Sequence, residues 1–190
     1  MAQAGESDKP EPAAEKKPRR RITKRKAVEQ HARSYFDAIA RRDVEAIGEH
    51  WREDGVDDFV PIGVLRGRPE IVDFFRDTFA AIPDFEMTVT RVVAGEREAG
   101  VEWRSRGNFT GAPFQGIDPT GKPVELRGFD LLEIEDGEIV SNTAYYDGAA
   151  FARQVGMLPP EGSSAERAMK STFNAVTRVR KALAERTTGS

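Results

Sequence analysis

The chain has 190 residues, 38% of them hydrophobic and 32% charged, with a formal net charge of −3 and no cysteine. Disulfides, thiolate catalysis and Cys-ligated zinc are thereby excluded, and His31 and His50 are too few for a His-rich metal site. No long apolar run is present and the charged, Pro-rich start lacks a hydrophobic signal core, so the expectation is one cytoplasmic domain with tails.

The small net charge hides a strong division. Residues 1–26 hold nine Lys and Arg against four Asp and Glu, and residues 163–190 hold six against two. The stretch between holds fourteen against twenty-six, giving net charges of +5, +4 and −12 along the chain. Gripping a nucleic-acid backbone requires Lys and Arg to neutralise phosphates, so the acidic body is not expected to bind nucleic acid.

Taken in chain order, residues 1–26 mix Pro, Ala, Glu and Lys without periodicity and read as a disordered basic arm. Its run KKPRRRITKRK at 16–26 is suited to anionic surfaces, although such runs are more often solvated. From Ala27, apolar positions at Val28, His31, Tyr35, Phe36 and Ile39 recur every three or four residues, the mark of a helix packed on one side. Asp43 is placed to cap a second, shorter helix with Val44, Ile47, His50 and Trp51 inward. A histidine among apolar neighbours is more often a packing residue than a catalyst. A short strand is expected over Val56–Val60, where Asp57 and Asp58 read as rim acids of which one points inward. Arg68-Pro69-Glu70 opens a third helix carrying Ile71, Phe74, Phe75 and Phe79.

After Pro83 the pattern turns to strands. Phe85–Val93 is one; Ala99–Phe109 is another, alternating Val101, Trp103, Ser105, Gly107 and Phe109 against charged neighbours. The long Gly- and Pro-rich connection from Thr110 to Pro123 contains Gly116-Ile117-Asp118-Pro119-Thr120-Gly121-Lys122, which has the spacing of a phosphate-binding loop. Pro123 replaces the magnesium-holding hydroxyl and a strand follows in place of a helix, so nucleotide binding is not expected.

Residues 124–147 form a hairpin about the turn Asp136-Gly137, since both residues tolerate positive φ. With Glu135 facing Glu138, the register expects Asp130 opposite Thr143, Gly128 opposite Tyr145 and Leu126 opposite Asp147, all on the apolar face. A buried carboxylate there is either held by hydrogen bonds as part of the sheet or is an acid/base group lining a pocket, its pKa raised by desolvation. A phenol such as Tyr145 could stabilise a developing enolate. Gly148–Val155 closes the hairpin with a short helix. Residues 163–186 form an amphipathic terminal helix with Ser163 and Glu166 in capping-box spacing; it could lie on the body, on a second subunit or on a membrane surface.

Helices first and a meander of antiparallel strands after them predict an α+β fold. The expected form is a cone: a strongly curved antiparallel sheet, N-terminal helices packed over its concave face, and a C-terminal amphipathic helix. Such a cone has room for one small, mostly apolar ligand, with Tyr35, Trp51, Phe59, Trp103, Phe109, Thr143 and Tyr146 as walls. The expected domains are the arm at 1–26, the cone at 27–160, and a linker with the terminal helix at 161–190.

The order of elements, the Gly-x-x-Pro-Thr-Gly-Lys loop, Phe129-Asp130, Glu135-Asp136-Gly137-Glu138-Ile139-Val140, Tyr146-Asp147 and Gln154-Val155-Gly156-Met157 resemble the SnoaL-like polyketide cyclases. These belong to the nuclear-transport-factor-2-like superfamily, whose cone hosts many reactions and also non-catalytic binding domains. The resemblance implies an acidic residue of the late strands acting as acid/base in an aldol closure, without metal or organic cofactor. Asp130 matches that role first and Asp147 second. The chain departs from many relatives in having Asp57, Asp58 and Phe59 where a histidine often stands, and Asn142 and Tyr145 in place of a His-Trp pair. Arg127 and Asp130 fall on opposite faces, so the Asp-Arg-Asp set of related epoxide hydrolases is not formed. Two functions are therefore carried forward. One is a cofactor-independent cyclase or isomerase acting on a hydrophobic carbonyl compound, with Asp130 as base, Tyr145 or Tyr146 as oxygen-stabilising donor and Asp147 as the second acid; the other is a ligand-binding or assembly module of the same fold. A homodimer is a further expectation.

Overall fold

The computed structural model describes residues 23–188, so most of the basic arm lies outside the described residues. The helix α1 (Lys24–Ala40) begins three residues before the expected Ala27, because the Thr23 hydroxyl accepts from the Lys26 amide at 3.4 Å and caps it. Its buried positions Val28, Ala32, Tyr35, Phe36 and Ile39 form a single stripe, and full burial of each large apolar side chain stabilises by roughly 1.5–3 kcal/mol. Asp43 caps α2 (Val44–Glu49) by accepting from the Ala46 amide.

The chain then enters β1 (Trp51–Phe59), longer than the expected strand at 56–60, and reverses into β2 (Gly63–Arg66). Trp51, expected on the second helix, is instead the first strand residue and is fully buried. Pro69 opens α3 (Arg68–Ala81), where its missing amide hydrogen leaves no bond unmade. Long antiparallel strands follow: β3 (Glu86–Ala94), β4 (Glu98–Asn108), β5 (Pro123–Glu135) and β6 (Glu138–Tyr146). Two helices end the chain, α4 (Gly148–Val155) and α5 (Ser164–Thr188).

The six strands run β2-β1-β6-β5-β4-β3 in one curled, open sheet, antiparallel throughout except where β1 pairs parallel with β6. Helix α1 lies along β3 and β4, and α3 crosses β1 and β2. The main core sits between these helices and the concave face, with Phe36, Ile47, Trp51, Ile71, Val101 and Leu132 buried in it. A second, smaller apolar cluster of Ala81, Ile82, Phe109, Val124 and Val155 closes one end.

The hairpin register departs from expectation in one respect. Glu135 faces Glu138 and Ile134 faces Ile139, but a bulge then inserts one residue on β6, so Glu133 pairs with Ser141 and Asp130 with Ala144. A one-residue shift reverses every later side chain. Gly128 therefore faces Tyr146, while Phe129, on the outer face, pairs with Tyr145.

Candidate active site

Asp130 is carried by the inward face of β5 and is 5% exposed. Its Oδ1 accepts from Trp103 Nε1 at 2.6 Å and its Oδ2 from Asn142 Nδ2 at 2.8 Å. The Trp103 indole can lie flat over β5 because its cross-strand neighbour is Gly128, where a Cβ would collide with the ring. The second Asn142 Nδ2 hydrogen goes to Asp57 Oδ1 at 3.0 Å, so one amide joins two buried carboxylates. Asp57 Oδ2, Asn142 Oδ1 and the Trp51 indole nitrogen, all buried, have no hydrogen-bond partner among the described residues.

Burial dominates the electrostatics. Desolvation raises Asp130 to about 6 against the pull of its two donors. Asp57 is pushed well above the usual carboxylate range by burial first, then by the charge of Asp130. Burial and the charges of Asp57 and Asp130 hold Tyr35 well above a normal phenol, and burial pushes Tyr146 up to about 12.

Asp130 lines a cavity of about 100 Å3 whose other walls are largely aromatic. Phe36 comes from α1, Phe59 from β1, Phe74 and Phe75 from α3, Trp103 from β4 and Tyr146 from β6. Phe114 of the β4–β5 connection and Phe151 of α4 complete it. Taking about 10–15 Å3 for one water, the space suits a molecule on the order of seven to ten non-hydrogen atoms.

Of the residues expected at the site, Asp130, Phe59, Trp103 and Tyr146 meet in this cavity. Tyr35 and Trp51 are buried in edge-to-face contact, 5.9 Å between ring centroids, without lining it. Phe109 is buried in the smaller cluster. Tyr145 is 51% exposed and Thr143 pairs with Leu131 on the outer face; the β6 bulge is the cause. Asp147 caps α4, accepting from the Ala150 amide at 2.9 Å.

Sequence reasoning missed the Asn142 bridge and left open which of Asp57 and Asp58 points inward; the structure buries Asp57. Alternation from Phe59 would have placed Asp57 inward, whereas nothing in the sequence announces the bulge that turns Asn142 toward it. His31 and His50 pair with each other at 3.3 Å in the α1–α2 corner, and burial, then the His31 charge, lowers His50 to about 4. Neither lines the cavity. Among the described residues no three His, Asp or Glu side chains cluster as a metal site, and no helix is long and apolar enough to cross a membrane.

Residues 29–155 match the SnoaL-like polyketide cyclase family. Among solved structures, the chain is similar to a candidate SnoaL-like polyketide cyclase from Jannaschia sp. CCS1, with TM-score 0.64 and 20% identity over 76% of this chain and 100% of that one. It is similar to AclR, a candidate hydroxylase from Streptomyces galilaeus, with TM-score 0.62 and 20% identity over 80% and 94% of the two chains. A protein of ketosteroid isomerase-like fold from Catenulispora acidiphila, solved in complex with trimethylamine, gives TM-score 0.57 and 23% identity over 69% and 98%. No curated protein sequence matches. These structural likenesses concern the fold, whereas the family match runs from the first helix to the end of α4. With helices set over a curled sheet and an acid on its inner face, the chain belongs to the SnoaL-like polyketide cyclase family.

Proposed function

We propose that the cone takes a compact, apolar carbonyl compound and that Asp130 moves a proton at the carbon beside the carbonyl. The observation that carries this reading is a buried carboxylate, raised to about 6, lining a mostly apolar cavity whose other polar lining is Thr78, Ser105, Arg106 and Tyr146. A base of that pKa is ionised at neutral pH yet still basic enough to take a proton from an activated carbon. In the proposed step Asp130 accepts the α-proton, the electron pair moves onto the carbonyl oxygen, and the Tyr146 hydroxyl donates to the enolate. Protonated Asp130 then returns its proton, either to another carbon in an isomerisation or to the alkoxide formed when the enolate attacks a second carbonyl. Of the two phenols expected as donor, Tyr145 and Tyr146, Tyr146 is given the role because it lines the cavity. Trp103 and Asn142 fix the carboxylate, and the step needs neither metal nor organic cofactor. The cavity volume favours a substrate, or a reacting portion of one, about the size of a single ring.

A second reading, a binding module without chemistry, is favoured by one observation: both Asp130 oxygens already accept a hydrogen bond. Proton exchange separates the two. Small cyclic ketones incubated with the protein in D2O at pH 7.5 should exchange their α-hydrogens, followed by NMR, and Asp130→Asn should slow this by about 100-fold or more. Equal rates in both proteins would make Asp130 structural. Ketones that raise the melting temperature without exchanging would favour the binding module.

A further inference from the structure

We propose that α5 is an association element that pairs antiparallel with α5 of a second copy of this chain. Among its described residues only Glu166 is buried, and Met169, Phe173, Val176 and Val179 are 44%, 70%, 45% and 60% exposed. A 25-residue helix that lies along no other described element leaves these four side chains uncovered by the described residues, and helices owe most of their stability to such a stripe being packed.

The pattern of the stripe identifies what covers it. Ala165, Met169, Thr172, Val176, Val179 and Leu183 recur at alternating spacings of four and three. This 3.5-residue period holds a seam against one other helix over several turns. Thr172 is its one hydroxyl-bearing member, and Phe173 beside it supplies apolar surface at the same level. Arg167, Lys170, Arg178 and Lys181 fall on the side away from the seam, where a paired helix keeps its charges in water. The seam is narrow, and small Ala168 and Ala175 flank it, so a second helix can approach closely.

Charge selects the direction. Residues 163–190 carry six basic groups against two acidic ones, while the body is strongly acidic. A two-fold axis near Asn174 layers Met169 on the partner's Val179 and the Thr172 methyl on the partner's Val176, and it brings Phe173 beside the partner's Phe173 on one flank of the seam and Ala175 beside the partner's Ala175 on the other. It also brings the basic C-terminal half of each helix to the level at which the other copy's helix leaves its acidic body, and opposes the two helix dipoles favourably. A parallel pair would instead crowd both basic halves together.

The chain has no cysteine, so a single introduced thiol reports geometry directly. The full chain should sediment as a dimer at micromolar concentration, and the double variant Phe173→Glu, Val176→Glu should be a monomer with an unchanged melting temperature. Ala175→Cys should be captured as a covalent dimer by a bismaleimide with a spacer of a few ångströms. Val179→Cys should not, because an antiparallel pair separates its two copies by about 15 Å along the axis, ten residues of helical rise. Capture through Val179→Cys would overturn the direction. The proposal fails if the wild type is a monomer, if the doubly charged variant still dimerises, or if the chain stays monomeric in solution and binds phosphatidylserine vesicles through α5.

Discussion

Two buried acids joined by one amide define this molecule at the scale of single residues. Asn142 gives one hydrogen to Asp57 and one to Asp130, so neither carboxylate is alone, yet among the described residues no cation lies within ion-pair distance of either. Asp130 binds its proton at about 6 in the folded chain and near 3.9 in an unfolded one. A raised carboxylate contributes stability that is fully present below the unfolded value and is lost as pH rises through the folded one; Asp57, also raised, acts in the same direction. Relative to Asp130→Asn, the wild type should therefore lose roughly 2 kcal/mol between pH 4 and 8, read from denaturant unfolding at each pH. Parallel curves would mean that Asp130 does not titrate there. Gly128 guards the same site from the next inward position of the strand. Gly128→Ala should cost about 1–3 kcal/mol by displacing the Trp103 ring. Losing that donor should move the Asp130 titration, followed by carboxyl 13C shifts, further upward.

Among the elements, β6 decides which side chains reach the cavity and α4 decides what Asp147 does. The bulge after Ile139 lets the hairpin keep its Asp136-Gly137 turn while turning Asn142, Ala144 and Tyr146 inward. Deleting Val140 would remove the extra residue and leave Glu133 opposite Ser141 and Asp130 opposite Ala144, so Asn142 and Tyr146 stay inward. The deletion variant is expected to keep proton exchange, read by NMR, and cooperative unfolding; loss of both would show that the bulge itself is needed to hold the site. Asp147, by contrast, holds the first turn of α4 through the Ala150 amide. Asp147→Ala should cost about 1 kcal/mol, the usual worth of an N-cap, and leave ketone exchange unchanged. A 100-fold loss of exchange with stability intact would give Asp147 a part in the chemistry.

For the molecule as a whole, the cone and the terminal helix are nearly independent. Arg153 of α4 reaches Glu166 at 3.6 Å, while Glu166 also accepts from the Gly162 amide and pairs with Lys170 within its own cap. A chain ending at Pro160 should keep its melting temperature within a few degrees and its exchange activity, measured by circular dichroism and NMR. A fall of tens of degrees would show that α5 shields part of the cone.

Much of this was written locally in the chain. The periodicity of α1 and α3, Pro69 and Asp43 at helix starts, Asp136-Gly137 at the turn and the alternation through Trp103 all act over a few residues, so helices, strands, the cone and the inward position of Asp130 were legible from sequence. The outward turn of Tyr145 and the inward turn of Asn142 were not. A bulge in β6, the parallel pairing of β1 with β6 and the short β2 arise from contacts between residues far apart in the chain. Sequence supplied the acid and the aromatic side chains; only tertiary pairing could choose Tyr146 over Tyr145, because facing in a strand depends on a register that a single extra residue reverses.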